Sequence, residues 1–277
     1  MSRSPTISFI GAGNMASAII GGMLDSGFRA GDIWVSAPDD DHLQSIRKRF
    51  GVSVTTDNRY CAQQADIVVL AVKPQVMGDV CRDIAPVVQN TRPLMVSIAA
   101  GLTADTLDTW LGGGLPLVRV MPNTPSLVGK GAAGLFANSQ VKDDQRNAVQ
   151  KVFESIGSAL WVDDENLLHS VTALSGSGPA YFFLMLEALE SAATEAGIES
   201  ETARALAIQT MAGAAEMAAR SEDDPGQLKR NVMSPGGTTE RAINTFEEGG
   251  LRDLVKKAYS AAFERSREMS RELADKQ

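Results

Sequence analysis

Between Thr6 and about Val162, short β-branched apolar runs alternate with longer stretches whose apolar residues recur at helical spacing. The runs are Thr6 to Ile10, Ile33 to Ser36, Val52 to Thr55, Ile67 to Val72, Leu94 to Ile98 and Leu117 to Met121. This alternation predicts an α/β fold, a mostly parallel sheet covered by helices. Ile67 to Val72 is apolar at every position, as a central parallel strand requires, and Pro74 soon after it disfavours a helical reading. Past Asp163-Asp164-Glu165-Asn166, which has the acidity of a helix start, the strand pattern ends and the remainder reads as helix. The expected division is residues 1–163, carrying the sheet, and residues 164–277, all helical. Within the latter, Glu201 to Ala219 holds eight alanines together with Met211 and Met217. Faces so small fill a core only if another helix approaches closely. Two readings stand: tight packing inside one chain, or a subunit interface in which each copy buries the other's helices.

The first strand runs into Gly11-Ala12-Gly13-Asn14-Met15-Ala16, a GxGxxA turn, and then into a helix ending at Ser26-Gly27. Gly11 permits the tight turn, Gly13 lets backbone approach a pyrophosphate, and Ala16 lets the helix lie close on the strand with its N-terminal amides facing the phosphates. At the first βα junction of an alternating sheet this pattern predicts a Rossmann-type dinucleotide-binding domain. The second strand tip bears on the coenzyme, because a carboxylate there binds a ribose 2′-hydroxyl and repels a 2′-phosphate. Ser36 occupies the tip, Asp39-Asp40-Asp41 follow at the next helix start, and no Arg is present. NADPH and NADH both remain open. Ala71-Val72-Lys73-Pro74 ends a central strand, where open α/β sheets bind ligands, and Ile98-Ala99-Ala100-Gly101 ends the next with room for a nicotinamide. Lys73 reads either as a site residue or as an ordinary surface lysine.

The acids of related chemistries are missing. A 2-hydroxy-acid dehydrogenase needs a base, usually His. His42 falls in a charged helix as a solvated surface residue, and His169 is either a polar core residue or a site residue. A 3-hydroxy-acid dehydrogenase on this plan is expected to carry a lysine early in the second domain, yet none occurs between Lys151 and Lys229. Ser175-Gly176-Ser177-Gly178-Pro179-Ala180-Tyr181 stands there instead and leaves space rather than supplying an acid. A second glycine-rich stretch, Asn231-Val232-Met233-Ser234-Pro235-Gly236-Gly237-Thr238-Thr239, leads into a helix expected to start near Glu240. Converging amides and the helix dipole at such a turn bind a small carboxylate without Arg or Lys. The bland alternative is an interhelical loop with Thr as N-cap.

Composition narrows the partners. A net charge of −8, with no basic block longer than Arg47-Lys48-Arg49, argues against a nucleic-acid surface. Cys61 and Cys81 are the only cysteines and form no CxxC, so neither a disulfide framework nor a cysteine zinc site is expected, and no metal is assigned. Both read as buried small residues in a reducing compartment. No basic leader and no run of eighteen apolar residues occurs, so the expectation is a soluble cytoplasmic protein without membrane contact.

GAGNMA, AVKP, SIAAG, SGSGPAY, PGQLK and NVxSPGGTT, in this order, resemble the pyrroline-5-carboxylate reductases, which catalyse the last step of proline biosynthesis. SGSGPAY followed by SPGGTT is the specific part, and the resemblance covers almost the whole chain. It implies cofactor contacts at Ile10, Gly11, Ala12, Gly13, Asn14 and Met15, at Ser36 and Asn58, at Ala71, Val72, Lys73 and Pro74, and at Ile98, Ala99 and Ala100, with Asn231 from the helical domain. Substrate contacts would fall on Ala100, Glu222, Thr238 and Thr239. Ser234, Gly236 and Gly237 would join them in holding the carboxylate of 1-pyrroline-5-carboxylate, and Pro179 would wall the ring. Glu222 reads either as facing the iminium charge or as an exposed acid beside Asp223 and Asp224. Thr239 would be the catalytic group, hydrogen-bonding the ring nitrogen. If the substrate enters as the iminium, no protein acid is needed, in keeping with the missing His and Lys. The family further implies a homodimer with interlocked helical domains, commonly assembled into a decamer. Met233 stands where the family often has Ser or Thr, which removes any hydroxyl contact there. The competing class is a dinucleotide-binding regulatory protein without turnover.

Overall fold

The computed structural model describes residues 4–275. Five βα units come first: β1 (Ile7–Ile10) and α1 (Asn14–Asp25), β2 (Ile33–Ser36) and α2 (Asp40–Phe50), β3 (Ser53–Thr55) and α3 (Asn58–Gln63), β4 (Ile67–Leu70) and α4 (Pro74–Thr91), β5 (Leu94–Ser97) and α5 (Ala104–Trp110). β6 (Leu117–Met121), β7 (Gly131–Ala137), α6 (Asp143–Glu154) and β8 (Gly157–Trp161) complete an eight-stranded sheet of order β3-β2-β1-β4-β5-β6-β7-β8. Neighbouring strands are parallel except β6 and β7.

The central strands β1, β4 and β5 are buried at every position, and strict alternation divides their side chains between two cores. Phe9, Val69 and Val96 pack on one face with the α1 stripe Ala16, Ile19, Ile20 and Met23, whose spacing puts them on one side of the helix. Ile10, Leu70 and Met95 pack on the other with Met77, Cys81 and Ile84 of α4. Helix ends follow local chemistry. The Asp39 side chain accepts from the His42 amide to start α2, and Gly51 in the left-handed region ends it.

Among the described residues eight strands stand where six are expected. β7 is Gly-Ala-Ala-Gly-Leu-Phe-Ala, with no β-branched residue to signal it, and its glycines answer to crowding: a Cβ at Gly134 would lie 2.6 Å from a Val171 methyl. The small residues let α7 (Leu167–Val171) lie directly on the strand. A π-helical turn, Thr172–Gly176, follows it.

The remaining helices are α8 (Gly178–Glu195), α9 (Ser200–Arg220), α10 (Pro225–Asn231), α11 (Thr238–Glu248) and α12 (Leu251–Asp275). The chain forms two compact units, one up to Ser177 plus the stretch from Ala262 onward, the other Gly178–Ala261. Among the described residues the last strand ends at Trp161, and α7 and the end of α12 belong to the sheet unit. His169 Nδ1 and Ser266 Oγ, 2.9 Å apart, join those two helices, with the imidazole edge-on to Phe263. In the second unit α8 and α9 are tied by Arg204, which donates to both Glu190 carboxylate oxygens.

Candidate active site

The sheet reverses its winding at β1, which lies between β2 and β4, so a crevice opens beyond the carboxyl ends of β1 and β4. The Gly11-Ala12-Gly13 turn fills its floor. Gly11 has φ +109°, and a Cβ there would meet the Ala71 carbonyl oxygen at 2.6 Å and its carbon at 2.7 Å. No side chain fits between two backbones that close. The turn is pinned from both sides: Gly11 N–H donates to Ser36 O, and Ala71 N–H donates to Ile10 O, each at 2.8 Å. A Cβ at Gly13, by contrast, would meet nothing within 4 Å. Gly13 is the N-cap of α1 and carries no side-chain cap, and the first turn holds no acidic residue. Uncapped amides and positive dipole therefore face open space, which fits a pyrophosphate.

The adenosine end has its own groups. The buried Ser36 hydroxyl donates to Asn58 Oδ1 at 2.8 Å, joining the β2 tip to the first residue of α3. Asp39, the acid nearest that tip, is spent on capping α2. His42 is exposed, as its charged helix predicts, but it is more than a solvated side chain: its Nε2 lies 2.8 Å from Ala12 O, so the ring N–H donates into the dinucleotide turn.

Past β4, Ala71 and Val72 are half-buried, Lys73 is an exposed N-cap and Pro74 occupies the first position of α4, where its missing N–H costs nothing. Past β5, Ile98 N–H donates to Leu70 O at 3.2 Å, Ala99 is buried and Ala100 is half-buried. Gly101 has φ +79°, and a Cβ there would meet Leu273 at 2.8 Å. The loop ends at Ala104, whose N–H donates to Glu165 Oε1 at 2.6 Å, and Arg119 Nη1 donates to the same oxygen at 2.7 Å. Arg119 is 6% exposed. This pair, a buried arginine on a half-buried glutamate, anchors the loop that carries Ile98 to Ala100, and no sequence motif assigns it. Its one signal is an arginine inside an apolar strand, a position charged residues occupy only when paired.

No thiol or imidazole chemistry competes. Burial pushes the Cys61 thiol up to about 11 and the Cys81 thiol up to about 12, so neither ionises near neutrality. Partial burial, then the Arg119 and Arg267 charges, hold the His169 imidazole below its ordinary value, against Glu165 and Glu264. The unfolded chain therefore binds this proton more readily than the folded one. The associated stability is full above the unfolded histidine value and is lost as pH falls through it toward the lower folded value. Thermal unfolding from about pH 7 to about pH 5.5 should lower the Tm of the wild type more than that of His169→Gln; a steeper fall in the variant would contradict this.

The second unit carries the other glycine-rich turn. Thr238 and Thr239 are the first two residues of α11, with Gly237 as N-cap and no side-chain cap, so the helix begins two residues before the expected Glu240 and no Thr caps it. Gly236 has φ +72°; its N–H donates to Glu240 Oε2 at 2.6 Å, and Gly237 N–H donates to Ser234 O at 2.9 Å. A carboxylate thus already sits on the Gly236 amide, which a ligand would take only by displacing Glu240. Ser234 is exposed and Met233 half-buried. Glu222 is an exposed loop residue, Pro179 is half-buried near the start of α8, and Asn231 is exposed, its amide exchanging hydrogen bonds with Asp223 and Gln227.

Residues 165–269 match the family described as pyrroline-5-carboxylate reductase dimerisation, and residues 6–101 match one described as NADP oxidoreductase, coenzyme F420-dependent. A pyrroline-5-carboxylate reductase of Pseudomonas aeruginosa is 46% identical, covering 98% of each chain. The structure of a pyrroline-5-carboxylate reductase from Coxiella burnetii superposes with a TM-score of 0.94 at 44% identity, covering 97% of this chain and 99% of that one. The pyrroline carboxylate reductase of Plasmodium falciparum, solved with NADP bound, gives 0.84 at 32% identity over 96% and 98%. With identity of this order over nearly its whole length, the chain belongs to the pyrroline-5-carboxylate reductase family.

Proposed function

We propose that the chain reduces 1-pyrroline-5-carboxylate to L-proline with NADPH or NADH, the last step of proline biosynthesis. The observation that carries this reading is the uncapped Gly11-Ala12-Gly13 turn at the sheet's switch point, in a chain 46% identical to a pyrroline-5-carboxylate reductase. When bound, the reduced nicotinamide supplies a hydride to the carbon of the protonated C=N bond, giving proline and the oxidised cofactor.

The chain's own residues bind and orient. Ile10 to Met15 hold the pyrophosphate, Ser36 and Asn58 the adenosine ribose, and Ala71 to Pro74 with Ile98 to Ala100 the nicotinamide half, Asn231 adding a contact. The amides and hydroxyls of Thr238 and Thr239 receive the substrate carboxylate, which displaces Glu240 from Gly236 as it enters; Ser234 and Gly237 shape that turn. Pro179 and Ala100 wall the ring, and Glu222 offsets the iminium charge. Thr239 hydrogen-bonds the ring nitrogen, and because the substrate brings its own proton, no His or Lys is required.

Thr239→Ala is therefore expected to lower kcat by roughly tenfold with little change in NADPH affinity, the pattern of a contact made at the reacting centre. Steady-state kinetics with direct NADPH titration checks this, and an unchanged kcat beside weakened cofactor binding would overturn the assignment. Running the assay with each coenzyme decides their order; the engagement of Asp39 in capping α2 and the absence of Arg at the β2 tip are compatible with both.

Residues 1–163 serve the cofactor and residues 164–277 the substrate and the assembly. The assembly is a homodimer, built into a decamer, in which the partner's helical domain completes the substrate site. Its support is the dimerisation family match and the apolar surface of α8 and α9. Tyr181, Phe182, Phe183 and Leu184 are all exposed, and in the alanine-rich α9 only Ala203 is buried. Such a face is not filled within one chain. We place the enzyme in the cytoplasm, where two free cysteines are stable; among the described residues no helix is long and apolar enough to cross a membrane.

A further inference from the structure

We propose that His42 is a positioning residue of the cofactor site, setting the aim and the donor strength of the Gly13 amide through its hydrogen bond to the Ala12 carbonyl. The inference rests on the dinucleotide half of the function above and not on the identity of the substrate.

The Ala12–Gly13 peptide is planar and trans, so the Ala12 C=O and the Gly13 N–H point in opposite directions from one rigid unit. Gly13 N–H is among the amides at the head of α1 that no side chain caps, at a residue where an added Cβ would meet nothing within 4 Å. A donor on the carbonyl therefore does two things to the amide across the plane. It stops the peptide from rocking about the flanking torsions, which are otherwise free because glycine follows. It also polarises the peptide, so the N–H becomes the stronger donor. His42 Nε2 supplies that donor at 2.8 Å.

The helix start that carries the ring is held in turn. His42 is the third residue of α2, and its own backbone N–H donates to the Asp39 carboxylate at 3.1 Å. On the other side of the turn, Gly11 N–H donates to Ser36 O at the end of β2. The turn is thus gripped by β2 at Gly11 and by α2 at Ala12, two adjacent residues. A solvated surface histidine would show none of this; the contact gives one exposed side chain a path to the pyrophosphate without touching it.

The test uses the full-length protein and NADP+ binding followed by titration calorimetry, with His42→Ala and His42→Gln. A glutamine side-chain amide reaches a similar distance and donates one N–H, whereas alanine donates none. His42→Ala is expected to weaken NADP+ binding by roughly fivefold, the effect of one neutral hydrogen bond, and His42→Gln to recover most of it. In turnover, the loss should fall on the KM for NADPH and not on kcat at saturating cofactor. Unchanged NADP+ binding in His42→Ala would overturn the proposal. Equal weakening in both variants accompanied by a fall in Tm would also overturn it, because it would mean that His42 acts only through the stability of α2. Since NADP+ binding is read without substrate, failure here is distinguishable from failure of the reductase reading.

Discussion

Gly11→Ala is expected to weaken NADPH binding by about a hundredfold or more and to lower the Tm. Two independent costs meet at this residue. A φ of +109° lies where an L side chain is strained, at about 1–3 kcal/mol. The new methyl would also sit 2.6 Å from the Ala71 carbonyl oxygen, a backbone atom already placed by the register of β4 against β1, so nothing flexible can turn aside. The turn must shift, and the amides of Gly13, Asn14 and Met15 shift with it. Gly13→Ala is the informative partner. At Gly13 φ is −73° and the added Cβ has open space, so the fold should keep its Tm while the methyl intrudes on the pyrophosphate and weakens binding. Fluorescence titration with NADPH and thermal unfolding of both variants check the pair. Wild-type affinity in Gly11→Ala would contradict the account of the turn.

The second large effect concerns assembly. Phe182 and Phe183 are 60% and 64% exposed on α8. A symmetric dimer that covers this face buries the exposed part of four such rings, a contribution of roughly 4–7 kcal/mol. The double variant Phe182→Asp, Phe183→Asp should therefore be monomeric at concentrations where the wild type is not, and its turnover should fall by more than about a hundredfold, given how strongly that energy outweighs a tenfold step per 1.4 kcal/mol. Light scattering after size exclusion gives the mass, and circular dichroism shows whether the helices persist. A folded monomer with wild-type turnover would rule out a substrate site shared between subunits.

The parts of this molecule that could be read from sequence are those where one residue type is obligatory. Gly11 announced the turn because no other residue allows its approach to the Ala71 backbone, Gly13 because it leaves room for a pyrophosphate, and the all-apolar run at β4 announced a central strand because both of its faces are covered. β7 escaped because its strand character comes from pairing with β6 and β8 and not from its own glycines and alanines. His42 escaped because a charged helix predicts a solvated side chain, and only the packing of α2 beside the turn brings its ring to Ala12. Arg119 and Glu165 escaped because a pair separated by 46 positions has no local pattern. At the second glycine-rich turn the residue types were legible, but the occupation of the Gly236 amide by Glu240 depends on where α11 begins. The helical domain's alanine and phenylalanine surfaces left two readings open, since composition does not say which chain covers them.

The most direct test of the central claim is the fate of the hydride. The purified protein, given 1-pyrroline-5-carboxylate and NADPH deuterated at the transferring position of nicotinamide C4, is predicted to consume cofactor only when substrate is present. The label should then be found by mass spectrometry in the proline formed, on the ring carbon beside nitrogen. Tight NADPH binding with no cofactor oxidation and no labelled proline would contradict the reductase reading and leave a dinucleotide-binding protein without turnover.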